Sequence, residues 1–124
     1  MVFATFLDPF AARSAVRVFW GVRHFGRNTH FAESYVTRED RIPFTNSLLH
    51  RAHNVDLTPI LPDRQDPPDD YAHMWPIAFY TDSGTDAAAG RGLAPAVLLS
   101  RTADAERTAR ELRDRYPSGG VTVP

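Results

Sequence analysis

Between Asp56 and Asp70 the chain reads DLTPILPDRQDPPDD, with Pro59, Pro62, Pro67 and Pro68 set among aspartates. Each proline removes a backbone donor and fixes φ, so regular ladders do not survive this density. The stretch is expected as a long surface loop, residues 56–74, that the elements on either side must close around. They must do so without covalent help, because the 124 residues include no cysteine. Disulfides, thiolate zinc sites and cysteine nucleophiles are excluded together. The length suits one domain, residues 1–124, large enough to bury a core.

Ahead of the loop, Val2 to Leu7 is a short apolar run, broken by Asp8-Pro9. Asp8 can cap a short helix over Phe10 to Ser14, with Pro9 at its first position. The run VRVFWGVRHFGRNTHF, Val16 to Phe31, is rich in β-branched and aromatic residues and reads as strand. A continuous helix from Pro9 to Phe25 is the alternative. Gly26-Arg27-Asn28 then makes a three-residue turn, with His30 to Thr37 as the returning strand. In that register Val16, Val18, Trp20 and Val22 face the core, and Arg17, Phe19, Arg23, Phe25, Phe31 and Tyr35 share the opposite face. Thr45 or Asn46 caps a short helix NSLLHRAH that ends at Asn54 in left-handed conformation.

After the loop, MWPIAFYTD and PAVLLS read as strands, and TADAERTARELRDRY as an amphipathic helix. Ala105, Ala109, Leu112 and Tyr116 form its apolar stripe. Pro117 and Gly119-Gly120 end the helix, and Val121 to Val123 returns as an edge strand. The fold class predicted is α+β: a mostly antiparallel sheet of four to six strands, an N-terminal β-hairpin and a C-terminal β-α-β unit.

The net charge of −1 opposes a general polyanion binder, although all 14 cationic residues are arginine and the chain is lysine-free. No stretch approaches the roughly 20 apolar residues of a membrane span, and the N-terminus lacks the features of an export signal. A cytoplasmic protein with no membrane partner is expected. The Arg17–Phe19–Arg23–Phe25 face, with Phe31 and Tyr35, is the expected binding surface. Its composition suits single-stranded nucleic acid as well as a second protein, but Val16 to Phe25 lacks the glycine-aromatic core of an RNA-recognition motif.

Histidines supply the candidate chemistry. His24 and His30 oppose each other in the hairpin register, and His50 and His53 share a side of the short helix. With Asp40 or Asp56 they have the ligand types of a zinc or iron site, yet His50-x-x-His53 lacks the spacing and glutamate of the zinc-protease helix. Asp82 to Thr85 resembles the Asp-Ser-Gly-Thr signature of aspartic proteases, which implies that Asp82 is half of a catalytic dyad shared between two subunits. The residues that follow offer no flap hairpin, so Asp82 and Ser83 also suit a turn or cap. Dinucleotide, phosphate-loop, nucleophile-elbow and calcium-loop patterns are missing. The function expected is a small non-catalytic interaction or accessory protein, homodimeric and without cofactor. The alternatives are a small enzyme with a pocket drawn from His24, His30, His50 and Asp82, metal-dependent or not, and a single-strand binder.

Overall fold

The computed structural model describes residues 2–85 and 102–124. Strands β1 (Phe3–Leu7), β2 (Phe31–Val36), β3 (His53–Asp56) and β4 (Val121–Thr122) form one sheet in the order β1-β2-β3-β4. Every pairing is parallel, Phe3 opposite Phe31 and Glu33 opposite His53. Among the described residues three helices accompany it: α1 (Trp20–His24), α2 (Tyr71–Thr85) and α3 (Thr102–Arg115), with a 3-10 turn at Thr58–Ile60. This small α/β fold replaces the antiparallel α+β sheet expected above.

β2 explains why. All six of its residues are buried, as in a strand covered on both faces. Phe31 packs with Phe3, Leu112 and Tyr116, and Tyr35 with Val55, Leu57 and Phe79, beside Leu7, Trp75 and Tyr80. α2 and α3 therefore cover that face. Ala32 turns the other way, with Ala4, Phe6, Phe25, Leu49 and Ala52. Here the cover is irregular chain. The connections before β2 and after it are stitched together by backbone bonds from Ala11 N to Phe44 O (2.8 Å), Gly21 N to Ala11 O (2.7 Å) and His50 N to Val22 O (2.9 Å). Gly21 permits this approach, since a Cβ there would lie 2.9 Å from Ala11 Cα.

The predicted hairpin is thus corrected. Gly26 does turn the chain, at φ +85°, but the segment before it holds a one-turn-plus helix and β2 pairs with β1 instead. Trp20 and His24 stack at 4.5 Å, and His24 Nδ1 lies 2.7 Å from Trp20 O, a local closure that a strand cannot make. Val16 is 90% exposed and only Val22 of the four supposed core residues is buried. The short helices expected at Phe10–Ser14 and in NSLLHRAH are absent. MWPIAFYTD is helix, not strand: Ala72, Pro76 and Phe79 make a buried stripe, and a short apolar run does not reveal its period by itself. The exposed Pro/Asp loop survives as 62–70, the α3 stripe and the edge position of β4 also hold, and PAVLLS lies outside the described residues. Among the described residues no helix is long and apolar enough to cross a membrane.

Asn54, expected to end a helix, is instead a buried clamp inside β3. Its Oδ1 accepts from Leu49 N (2.8 Å), and its Nδ2 donates to Leu49 O (2.9 Å) and Gly120 O (3.2 Å). It ties an irregular crossover and the edge strand β4 to the sheet. Asn54→Ala strands buried backbone groups, each costing roughly 1–3 kcal/mol. Urea unfolding of this variant is expected to show a loss of about 3 kcal/mol with an unchanged m-value.

Candidate metal centre

In a parallel sheet the carboxyl ends of the strands share one edge, where open α/β folds place their ligands. Three chain segments bring potential ligands there. Asp8 follows directly on β1, Asp40 lies just beyond β2, and His73 sits in the first turn of α2. His73 Nδ1 is 2.9 Å from Asp8 Oδ2 and 2.9 Å from Asp40 Oδ2. One ligand atom from each residue falls within 4.8 Å of the others, the one such cluster of His, Asp and Glu among the described residues.

Each member is held from its own backbone outward. Asp8 N donates to Tyr35 O (2.8 Å), and its φ of +47° is a left-handed conformation that Asp tolerates better than most side chains. The tight turn aims its carboxyl inward. Asp40 Oδ1 accepts from Ile42 N (2.9 Å), and Asp40 Oδ2 accepts from Thr45 Oγ1, which also lies 2.7 Å from Ile42 O. Both carboxyls have no exposed side-chain surface, whereas His73 keeps 27%. Asp8 Oδ1 has no hydrogen-bond partner among the described residues; neither do Thr37 Oγ1 and Trp75 Nε1 in neighbouring positions of the chain.

Two buried carboxyls in contact cannot both carry charge without a counter-ion. Burial, a hydrogen bond with Asp40 and repulsion from the Asp40 charge push the Asp8 carboxyl up to about 9, against a lowering by the Thr37 amide. Burial also acts to raise Asp40, but hydrogen bonds from Asp8, Thr45, the Ile42 amide and His73 outweigh it and hold Asp40 below the usual range. The pair is a proton-sharing dyad with an imidazole against it. A divalent cation can take the place of that proton.

The histidines singled out from the sequence lie elsewhere. His24 stacks on Trp20, His30 Nδ1 accepts from Val2 N, and His53 is buried with its ring nitrogens 3.0 Å from Pro117 O and 2.8 Å from Thr122 Oγ1. His30 and His50 meet at the opposite edge of the sheet, along a different cavity. Asp56 Oδ1 accepts from Thr58 N, and Asp82 is on the exposed side of α2. The proposed aromatic face is not one surface either: Arg17, Phe19 and Arg23 are exposed, Phe25 stacks on Phe6 at 5.2 Å, and Phe31 and Tyr35 are buried under the helices. Asp40 was among the ligand types considered; Asp8 and His73 were missed. The signal for Asp8 was an aspartate ending an apolar strand, informative only in a parallel sheet. Comparison of the chain with protein-family models, curated proteins and solved structures gives no match.

The dyad dictates a pH dependence. Asp8 binds its proton more tightly folded than unfolded, so the stability it contributes is complete below 3.8 and lost as pH rises toward about 9. Asp40 runs the other way, and its contribution is lost as pH falls below 3.8. In chelator-treated protein the melting temperature should therefore decline from weakly acidic to alkaline pH. Asp8→Asn, which cannot titrate, should flatten that decline.

Proposed function

We propose that the protein is a hydrolase that works through a divalent cation held by Asp8, Asp40 and His73. The convergence of these three side chains at the carboxyl edge carries the reading. Two carboxylate oxygens and one imidazole nitrogen suit zinc, manganese or ferrous iron, and three protein ligands leave positions for water and substrate. Asp8, Asp40 and His73 would hold the cation, which would supply a water of lowered pKa and Lewis acidity toward the bond to be cleaved. Thr45 and the Ile42 amide fix the Asp40 carboxylate, and the turn at Asp8 fixes its partner.

Residues next to Asp40 and close to His73 in the chain line a separate hollow. A cavity of ≈ 360 Å³ runs under the Pro/Asp loop and is lined by Glu39, Thr58, Arg64 and Tyr71 among others. Glu39 is the chain neighbour of Asp40, and Tyr71 begins the helix that carries His73. Arg64 lines this cavity and lies over the Tyr71 ring at 5.6 Å, a cation within it for an anionic group of the substrate.

Calorimetric titration of chelator-treated protein with Zn²⁺ and Mn²⁺ tests the reading. Saturable one-to-one binding is expected, with a stabilisation of about 2.7 kcal/mol at a hundredfold excess over Kd. Asp40→Asn and His73→Ala should each abolish it and any hydrolysis of chromogenic ester substrates. Wild-type protein that binds neither ion removes the proposal.

Self-association is a second, compatible proposal. Val16 is 90% and Phe19 60% exposed, on a surface with Arg17 and Arg23 around a ≈ 270 Å³ hollow. Apolar side chains this exposed and adjacent suit a second copy of the chain. Light scattering should give a dimer for the wild type and a monomer for Phe19→Glu. A wild type that stays monomeric at high concentration counts against it.

A further inference from the structure

The amino edge of the sheet carries a site of opposite character. Its cavity, ≈ 540 Å³, is lined by Arg23, Arg27, Arg51 and Arg113 together with His30 and His50, and no carboxylate among the described residues lines it. That places four of the chain's 14 cationic side chains in one hollow of a protein whose net charge is −1. Guanidinium groups stay charged at any physiological pH, and all four are exposed, so their forks are open to an anion from solvent.

The cluster draws on separate parts of the fold. Arg23 ends α1, Arg27 and His30 belong to the turn before β2, Arg51 precedes β3, and Arg113 lies in the last turn of α3. Arg51 is oriented by a bond from its Nε to Arg23 O (3.1 Å), which leaves its terminal nitrogens for other partners. Gly26 makes the assembly possible: a Cβ there would stand 2.7 Å from Arg51 O, and its φ of +85° excludes most other residues. Thr29 Oγ1 donates to Gly26 O at 2.8 Å and secures the turn. Tyr116 closes one wall, held edge-on to His53 at 5.1 Å, so an aromatic surface adjoins the cations.

We infer that this cavity binds a small ligand bearing a diphosphate group. Several arginine forks lining one hollow, with no carboxylate among its described residues, match a compact multiply charged phosphate, which a fork can bind in bidentate fashion. The volume is that of a small-molecule site, and Tyr116, which carries Arg115 over its ring at 5.4 Å, lines the wall that a base or other planar group attached to the phosphates would meet. The site is independent of the metal centre. β2 separates the two edges by roughly 17 Å, at 3.3 Å per residue.

The test is calorimetric titration with inorganic pyrophosphate and with a nucleoside diphosphate, in chelator so that the carboxyl edge cannot take part. Saturable binding at moderate salt is expected, weakened at least tenfold in Arg51→Ala and in Arg113→Ala. Arg38→Ala, an exposed cation beyond the other end of β2, and Asp40→Asn should bind as the wild type does. Thermal melts confirm that each variant is folded, and Arg51→Lys, which keeps charge but loses the fork, should fall between wild type and alanine. Tighter binding of the nucleoside diphosphate than of pyrophosphate assigns the Tyr116 wall to the base; equal binding assigns the site to the phosphates alone. The inference is overturned if neither probe binds the wild type, if Arg38→Ala weakens binding as much as the pocket variants, or if a short single-stranded oligonucleotide binds more tightly than both.

Discussion

The ladder that β2 forms with β1 on one side and β3 on the other sets the position of everything else in this molecule. Parallel pairing demands that the chain return to the same edge before each new strand, so two long crossovers must lie over the sheet. Here both are largely irregular, and they hold together through their own backbone bonds and through Asn54. The opposite face is covered by α2 and α3. With both faces covered, every residue of β2 is buried, and polar groups such as Glu33 need partners inside: Thr5 Oγ1 and Tyr35 OH donate to it at 2.8 and 2.9 Å.

Parallel strands also give the sheet two chemically distinct edges. Residues that follow strands gather at one, and residues that precede them gather at the other. In this chain the first edge receives Asp8, Asp40 and, through α2, His73. The second receives arginines from the turns before β2 and β3 and from the end of α3. The composition is nearly neutral, yet the topology gathers a buried acid pair at one edge and four arginines in a hollow at the other. An acid dyad with an imidazole and an arginine-lined hollow then face away from each other across one thin sheet, which is why the two proposals can be tested separately.

The dyad shows how burial creates chemistry from common residues. An exposed aspartate is simply ionised; Asp8, buried against Asp40, holds a proton into the alkaline range. Neither residue is unusual in its local sequence. What makes them a site is that strand ends distant in sequence are adjacent in space, with a helix start brought over them.

Much of the local structure was legible from residues alone. The proline-rich surface segment, the strands at Phe3–Leu7 and Phe31–Val36, the edge position of Val121–Thr122 and the Ala105–Ala109–Leu112 stripe follow from backbone chemistry and hydrophobic spacing, which act over a few neighbours. Pairing was not legible. Whether β2 folds back on Val16–Phe25 or lies parallel to β1 depends on contacts between residues 28 apart, for which the local pattern of Val, Phe and Arg has no signature. The antiparallel reading sent the aromatic residues to a surface and set His24 opposite His30. The parallel fold buried Phe31 and Tyr35 and joined Asp8 to Asp40 and His73. Local sequence determined the proline-rich coil, two of the strands and the stripe of α3, but only the tertiary structure decided the state of Val16–Phe25 and Met74–Asp82 and which strand ends meet, because those choices are made by burial of both faces of β2 at once.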